Sequence, residues 1–401
     1  MSMSRPARIL YVEMAYGFGG SIVSLYQLVR GMDRSAYEPV VLFYRPNAYV
    51  ARFQEIGTRV IVLRPGERER AAGSEAAPQR RTPAWRKRLA EVVAIGRQVW
   101  GNTGPLLQLM RQEQIDLVHL NDVLISNREG IIAAWLAGIP CLSHVRAFEQ
   151  LTLLDRYLAR RVGAFVYISQ AIRRAHEAQG TPPTRGRVIY NALDIEEFAG
   201  DRLAARARLG LRPEDQVVGI VGRLVAWKGH RVFLEAMARL VPSRPNLRCL
   251  VVGEGESTEP TYPAELERLA ARLGLAERVT FTGYQAGVAT LLPALDVLIH
   301  CSLQPEPFGR VIIEGMAAGV PVVGAADGAV PEIIEDGRTG LLVPPGDAER
   351  LAEAVGRLLD DSSLAASICR AARRRVEEAF SVDAHVRQIQ EVYRLLLKGK
   401  T

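Results

Sequence analysis

The sequence has no apolar run that approaches the roughly 18 residues needed to cross a lipid bilayer. Its first apolar stretch, residues 9–12, is also too short to be the core of a signal peptide. From these two absences we expect a cytosolic protein that at most touches the face of a membrane.

Cysteine and lysine are both scarce. No cysteine has a neighbour at the spacing of a metal or redox site, so we expect buried thiols in a reducing compartment. Only four of the 51 basic side chains are lysines, and the formal net charge is +7. No basic-aromatic recognition motif accompanies this charge, which argues against nucleic acid as a partner. The four cysteines are Cys141, Cys249, Cys301 and Cys369.

Short β-type runs alternate with helical patterns along the whole chain. This alternation predicts parallel sheets with helices on both faces, and the continuous apolar character of the runs suits strands that are buried on both sides. In the first half the predicted strands are 9–12, 40–43, 60–63, 117–120, 141–144, 165–168 and 188–190. In the second half they are 217–221, 247–252, 279–282, 297–300, 320–324 and 341–343.

The alternation pauses between residues 192 and 213, which we interpret as a hinge. The predicted organisation is an α/β fold of two doubly wound domains, 1–195 and 196–382, that face each other across a cleft. A final amphipathic helix, about 383–398, is expected to return to the first domain. We expect ligands at the carboxyl ends of the strands.

A loop and helix after the run 297–300 contain two glutamates. The pattern places Glu306 in the loop and Glu314 on the second turn of the helix, both at the mouth of the cleft. The unpaired N–H groups at the helix start, near 308–311, favour an anion such as a diphosphate. The two carboxylates would then bind hydroxyl groups, one on a sugar and one on a ribose.

Glu314 has a simpler interpretation as a solvated helix residue. We favour the binding role because its helix neighbours are apolar almost all round, and a glutamate in such surroundings is rarely buried without a partner.

Two cations, Arg223 and Lys228, follow the predicted strand 217–221 on one loop. At the carboxyl edge of the sheet they could neutralise a leaving diphosphate, although ordinary surface charge is the alternative interpretation. The sequence contains no Asp-x-Asp and no compact His/carboxylate cluster. We therefore expect no metal cofactor, with protein cations in its place.

Candidate residues in the first half are less distinctive. Gly19 and Gly20 precede a predicted helix and could let the backbone approach a phosphate, or could simply turn the chain. His144 ends a predicted strand next to a polar loop, where it could touch the ligand, although an isolated histidine is more often structural. His119 ends another strand and is the weaker candidate.

Residues 83–100 combine an apolar helical stripe with basic residues that lie largely off it. This segment could lie on an anionic membrane or bind an acidic acceptor. Equally, it could be a solvated helix that packs its stripe on the sheet, or a mobile insertion. The stripe consists of Trp85, Leu89, Val92, Gly96 and Val99.

Taken together, these stretches resemble glycosyltransferase family 4, the retaining enzymes with the GT-B fold. The resemblance covers nearly the whole chain, and the glutamate pair is its most specific element. Its carriers are Gly19-Gly20, His144, residues 188–194, Gly222-Arg223, Lys228-Gly229, Glu306-x7-Glu314, residues 331–334 and residues 340–346.

The resemblance implies a role for each candidate residue. Arg223 and Lys228 would hold the donor diphosphate, while Gly19 and Gly20 would lie near the phosphate when the domains close. His144 would bind the donor sugar near its reacting carbon. Glu306 would contact the sugar hydroxyls, Glu314 the ribose, and the backbone N–H groups of Phe308 and Gly309 the donor.

The activity implied is hexose transfer from a nucleotide-diphosphate sugar to a glycan or lipid-linked acceptor in cell-envelope or polysaccharide synthesis. It would proceed by front-face substitution with retention and without a metal. A nucleotide-sugar epimerase of the same architecture and an inactive sugar-nucleotide-binding subunit remain alternatives. Two positions depart from the family pattern: Asp327-Gly328-Ala329 replaces a paired glycine, and Gly315 replaces an alanine at a small cost in helix propensity.

Overall fold

The computed structural model describes residues 5–14, 19–63 and 84–399. Within the helix that spans Ala84–Gln112, side chains are described for residue 96 and from residue 99 onward. The chain divides into two compact units. One holds the chain up to Ile168, residues 172–189 and the segment from His385 on, and the other holds residues 169–171 and 190–384. The family resemblance implies that the first domain, 1–195, binds the acceptor and the second, 196–382, the nucleotide-sugar donor, and this assignment stays a prediction.

The first unit is a parallel sheet with strand order β3-β2-β1-β4-β5-β6-β7. Its strands are β1 Ala7–Glu13, β2 Tyr37–Phe43, β3 Arg59–Val62, β4 Leu117–Leu120, β5 Cys141–Val145, β6 Ala164–Tyr167 and β7 Gly186–Val188. Its helices are α1 Gly20–Arg30, α2 Tyr49–Glu55, α3 Ala84–Gln112, α4 Arg128–Ala137, α5 Leu153–Ala159 and α6 Gln170–Glu177, of which the first two residues count with the second unit.

The second unit is a parallel sheet with strand order β10-β9-β8-β11-β12-β13. Its strands are β8 Gln216–Val221, β9 Leu247–Val252, β10 Val279–Gly283, β11 Val297–His300, β12 Val322–Ala325 and β13 Leu341–Val343. Its helices are α7 Arg202–Arg208, α8 His230–Leu240, α9 Tyr262–Arg272, α10 Val288–Leu291, α11 Arg310–Ala317, α12 Val330–Ile333, α13 Ala348–Asp360 and α14 Ser362–Ala379.

The last helix, α15, spans Val382–Lys398 and belongs to the first unit from His385 on. Its Tyr393 is fully buried, with its hydroxyl 2.6 Å from His119 Nδ1 and 3.0 Å from the hydroxyl of Tyr11. These contacts attach α15 to the strands β1 and β4 of the first sheet.

The doubly wound α/β architecture predicted from the alternating runs is confirmed. Every predicted strand is found within the described ranges, with bounds that differ by a few residues. The central strands are buried on both faces, and β4 and β11, for example, are buried at every position, whereas the edge strands β3, β7 and β10 are partly exposed. The continuous apolar runs of the central strands follow from this burial, because neither of their faces is open to water.

Candidate functional site

The second sheet changes winding direction between β8 and β11. These two strands are neighbours, with Val297 beside Val218 and Ile299 beside Ile220, although β9 and β10 lie between them in sequence. At such a switch point the loops after the two strands leave in opposite directions and open a crevice where α/β proteins bind ligands. The loops that start here are 222–229 and 301–309.

The backbones of these two loops run in direct contact. Gly229 has a φ of +78°, and a Cβ at this position would lie 1.9 Å from the carbonyl oxygen of Cys301. Leu303 N donates to Trp227 O at 2.7 Å and adds a hydrogen bond between the loops. A residue other than glycine at position 229 would push the two loops apart. Gly229 therefore fixes the distance between the side chains that these two loops carry.

Glu306 is the centre of the site. Its side chain is buried, and its Oε2 accepts three hydrogen bonds: Lys228 Nζ at 2.7 Å, His300 Nε2 at 3.0 Å and Ser302 Oγ at 3.0 Å. Burial by itself raises the pKa of this carboxyl, but the hydrogen bond and charge of His300 and those of Lys228 outweigh it. The pKa of Glu306 is therefore held well below its usual range, and the group stays ionised.

Lys228 is held from two sides. Its ammonium lies 4.1 Å from the centre of the Trp227 ring and forms the ion pair with Glu306. An ammonium group has three donors, and the carboxylate takes one of them. The Lys228 side chain is 19% exposed, so its ammonium stays partly open to solvent although the Glu306 carboxylate that it contacts is buried.

Arg223 stands at the start of the same loop. It pairs with Glu256, and its side chain is 58% exposed. The structure therefore brings Lys228 and Glu306 into direct contact, whereas Arg223 is more open to solvent and engages a different carboxylate.

Phe308 and Gly309 connect Glu306 to the start of α11. The Phe308 side chain is buried against Tyr190 and Phe380, with ring centres 6.2 and 6.0 Å away. Gly309 precedes the helix and has a φ of +89°. A Cβ added at this position would lie 3.4 Å from Glu306 Cγ. The phenyl ring thus anchors the loop, and only the backbone of these two residues is left for the predicted donor contact.

Glu314 lies on the second turn of α11, as the pattern predicted. Its Oε1 is 3.4 Å from Nε of Arg310, one turn earlier, and burial raises the pKa of its carboxyl despite that charge. Close packing explains the glycine at the next position, Gly315, because a Cβ there would lie 2.4 Å from Leu298 Cδ2 on β11. The cost in helix propensity is therefore offset by close packing of α11 on the sheet.

The segment Asp327-Gly328-Ala329 supports the backbone of Glu306. Ala329 N donates to Glu306 O at 2.9 Å, and Gly328 has a φ of +58°. A Cβ on Gly328 would lie 2.4 Å from both N and O of Glu306. The single glycine that remains from the family's pair is thus the one whose conformation and close approach require glycine.

His300 and Ser302 are site residues that the sequence interpretation missed. His300 is the last residue of β11 and immediately precedes the glutamate loop. Like His144, His300 is a histidine at the carboxyl end of a strand beside a polar loop, so the same sequence pattern identifies it. Ser302 had no such signal, because a serine in a loop is common for many reasons.

The candidates of the first half lie in the other unit. Gly19 precedes α1, Gly20 begins it, and both are exposed. His144 is fully buried, and its Nδ1 is 3.1 Å from Nε2 of His119. Its Nε2 has no hydrogen-bond partner in the part of the chain that the structure describes. Burial, followed by the charge of Arg146, holds the pKa of His144 well below its usual value, so the ring is neutral.

The stripe predicted over 83–100 lies mostly outside the described residues. Of its members, Gly96 and Val99 are described, and Val99 is buried while the adjacent Trp100 is 76% exposed. Within the described ranges, none of the helices combines the length and the apolar character that crossing a lipid bilayer requires. Nowhere in residues 5–14, 19–63 and 84–399 do three His, Cys, Asp or Glu side chains converge as a set of metal ligands.

Two family models match the chain. Residues 19–192 match the model described as a glycosyl transferase 4-like domain, and residues 201–375 match the model described as glycosyl transferases group 1. Together the two matches span both units of the fold.

Among curated proteins the chain is similar to D-inositol 3-phosphate glycosyltransferases. The protein of Mycobacterium marinum is 40% identical over 248 residues, which are 61% of this chain and 51% of that protein. The protein of Mycobacteroides abscessus is 41% identical over 180 residues, 44% of this chain and 40% of that protein. The chain thus aligns with about half the length of these relatives.

Solved structures match over almost the whole chain. Anabaena Alr3699/HepE in complex with UDP-glucose superposes with a TM-score of 0.77 and 26% identity over 96% of this chain and 99% of that one. A glycosyltransferase from Rickettsia africae superposes with a TM-score of 0.81 and 21% identity, over 98% and 99% of the two chains, and shows the fold alone.

Proposed function

The chain belongs to the glycosyltransferases of family 4, with two Rossmann-like units of the GT-B type, and from this premise we propose that it transfers a sugar from a nucleotide-diphosphate sugar to an acceptor. The observation that supports this most directly is the Lys228–Glu306 ion pair at the switch point of the second sheet. It joins a cation suited to phosphate with a carboxylate suited to sugar hydroxyls.

In this proposal the second unit binds the donor. Lys228 donates its remaining N–H groups to the diphosphate, and Arg223 adds a second positive charge from the same loop. The N–H groups at the start of α11 point toward the same anion, since the first turn of a helix has no internal partners for them. Glu306 binds the hydroxyls of a hexose, and Glu314 those of the ribose.

The reaction proposed is substitution with retention on one face of the sugar. The bond from the anomeric carbon to the diphosphate oxygen breaks, and the bond to the acceptor oxygen forms on the same face. The acceptor's proton passes to the departing diphosphate oxygen. Lys228 and Arg223 stabilise the negative charge on that leaving group, while the ionised Glu306 favours positive charge on the sugar ring.

A contact of His144 with the donor sugar, which the family resemblance implies, stays part of the proposal, although the ring is fully buried within the first unit. The acceptor is proposed to be a glycan or a lipid-linked intermediate, bound mainly by the first unit. Peripheral contact with an anionic membrane through residues 83–100 belongs to the same proposal. Vesicle binding by a variant with Arg86, Lys87 and Arg88 changed to glutamine tests that contact.

A panel of UDP-, GDP- and ADP-sugars tests the proposed function. We expect one nucleotide class to raise the unfolding temperature, because a ligand that binds only the folded state at about 100 times its Kd stabilises it by roughly 2.7 kcal/mol. With the matching sugar donor and an acceptor, NMR should show a transfer product that retains the anomeric configuration of the donor. Epimerised donor formed without any acceptor, or donor binding with neither transfer nor slow hydrolysis, would contradict the proposal.

Transfer is expected to persist in excess EDTA, with Lys228 and Arg223 stabilising the charge that a divalent ion stabilises in other transferases. Initial rates should be compared before and after dialysis against EDTA, then after addition of Mg²⁺ or Mn²⁺. A rate that collapses with EDTA and returns with either ion would exclude a metal-independent mechanism.

A further inference from the structure

The first unit presents apolar side chains to solvent on α4 and α5. We call this set, with the arginines among it, the α4–α5 surface. Leu153 is 82% exposed, Tyr157 49% and Trp135 47%, and Leu154 is also exposed. Large apolar side chains that are exposed together mark an interaction site more often than single ones do. The arginines of this surface are Arg156, Arg160 and Arg161.

Contacts on the buried face of α5 hold the helix in place and determine which side chains its opposite face exposes to solvent. Asp155 is fully buried and accepts two hydrogen bonds from Arg128, at 2.6 and 2.9 Å. Thr152 and Asp155 also form a capping box at the start of the helix. Since Asp155 and Leu158 point inward, Leu153, Leu154 and Tyr157 lie on the opposite face at helical spacing. The exposed leucines are therefore held by a firmly anchored helix.

The contributions of the two helices are continuous. The guanidinium carbon of Arg161 lies 4.5 Å from the centre of the Trp135 ring and 5.5 Å from that of Tyr157. Arg161 also donates to the Tyr157 hydroxyl at 3.1 Å. One arginine thus links an aromatic ring on α4 to another on α5, so the rings and the leucines form a single surface.

The exposed charges along this part of the chain have one sign. From residue 148 to residue 161 the exposed charged side chains are all arginines, whereas the acidic residues Glu149 and Asp155 are buried. An apolar surface with arginines and no exposed carboxylate in this segment is complementary to a layer that is apolar below and negatively charged at its surface.

We propose that the α4–α5 surface docks on the face of an anionic lipid bilayer. Trp135 and Tyr157 would lie at the level of the headgroups, where amphipathic rings are favoured, and Leu153 and Leu154 would enter the acyl boundary. Arg156, Arg160 and Arg161 would bind lipid phosphates. This contact is distinct from the one considered for residues 83–100, and it does not require that the protein transfer sugar.

The test is flotation of the full chain with vesicles of phosphatidylcholine alone and with an equal part of phosphatidylglycerol. We expect binding only to the mixed vesicles. Arg156→Gln with Arg160→Gln should weaken it about ten-fold or more, because each basic residue near an anionic surface contributes about five-fold, and Leu153→Ser with Leu154→Ser should weaken it at least as much. Because these side chains are exposed, thermal unfolding should be unchanged in both variants.

The matched control is Leu203→Ser. Leu203 is 66% exposed and also has arginine neighbours on a short helix, α7 of the second unit, and this variant should bind like the wild type. No wild-type binding to mixed vesicles, or equal losses in the control, would overturn the proposal. So would binding that depends only on Arg86, Lys87 and Arg88, or a dimer that the Leu153/Leu154 variant alone dissociates, since the surface would then join two copies of the chain.

Discussion

Replacing Glu306 with glutamine is expected to lower sugar transfer by about 10²–10³-fold, the effect of removing one preorganised electrostatic group from an active site. Glutamine has nearly the same shape, and its amide oxygen can still accept from the neighbouring donors. It lacks the negative charge that would favour positive charge on the sugar ring as the leaving group departs. The loss should therefore fall on kcat more than on the KM for the donor.

The same substitution leaves Lys228 without its carboxylate. Removing one partner of a buried ion pair destabilises a protein by about 3–5 kcal/mol. Here the cost should be smaller, because the Lys228 side chain is 19% exposed and water can solvate the ammonium. Thermal unfolding with and without the nucleotide separates a damaged fold from a damaged reaction.

The matched control is Glu353→Gln. This glutamate lies on α13, is exposed, and pairs with Arg350 at 2.8 Å. We expect full activity from it. Near-normal turnover by Glu306→Gln, measured with the correct donor and acceptor, would remove Glu306 from the reaction.

The second large effect is expected from Lys228→Met, with a loss of about 10²–10³-fold in kcat/KM, since a cation on the leaving diphosphate is removed. Methionine retains much of the apolar length that packs beside Trp227. Lys228→Arg should not restore the rate, because a planar guanidinium cannot occupy the place of a compact ammonium held between a ring and a carboxylate. The exposed Lys398 gives the control, Lys398→Met, which should behave as the wild type.

Lys228→Met is also expected to change the pH dependence of kcat/KM, and the wild type provides the reference. Burial raises the pKa of Glu306, and His300 and Lys228 lower it further than burial raises it. A carboxyl with a depressed pKa contributes stability above its unfolded pKa of about 4.3, and loses it only as the pH falls below that value. Wild-type kcat/KM should therefore show no decline from Glu306 above about pH 5.

Lys228→Met removes one of the two groups, His300 and Lys228, that lower the pKa of Glu306. The pKa of Glu306 therefore rises, and kcat/KM should begin to decline at a higher pH on the acid side than in the wild type. The pH dependence of donor affinity, followed by thermal shift, should move in the same direction. An identical pH profile in wild type and Lys228→Met would show that Lys228 does not set the ionisation of Glu306.

Much of the fold could be predicted from local pattern. The central strands of both units are continuous apolar runs because both of their faces are buried, and this signal depends only on adjacent residues. The bounds of the elements were less accurate: both glycines were predicted to precede the helix, whereas α1 begins at Gly20 and only Gly19 takes the extended conformation before it.

The candidate site was predictable residue by residue but not as an arrangement. The pattern identified Glu306 and Lys228 separately, and they are 78 positions apart in the chain. Their contact requires β8 and β11 to be neighbours and Gly229 to lie against Cys301. Likewise, the departure at residues 327–329 had no evident consequence in the sequence, whereas in the fold Gly328 packs on the backbone of Glu306.

Burial was another property that the sequence did not provide. His144 was predicted at the end of a strand, which is correct, but its full burial beside His119 depends on α15, which contributes Tyr393 to the same hydrogen-bonded cluster from the far end of the chain. The apolar stripe of 83–100 was evident, whereas the exposed leucines of α5 were not. A seven-residue helix has too few turns for its faces to be assigned from periodicity.

The sequence by itself determined the order of the elements, the two doubly wound units and the identity of the charged groups near their strand ends, because periodicity and turn chemistry are local. Only the tertiary structure decided which of those groups meet. Strand order and the close approach of glycine-bearing loops set distances between residues that are remote in the chain, and a change of one or two ångströms in those distances separates an ion pair from two solvated charges.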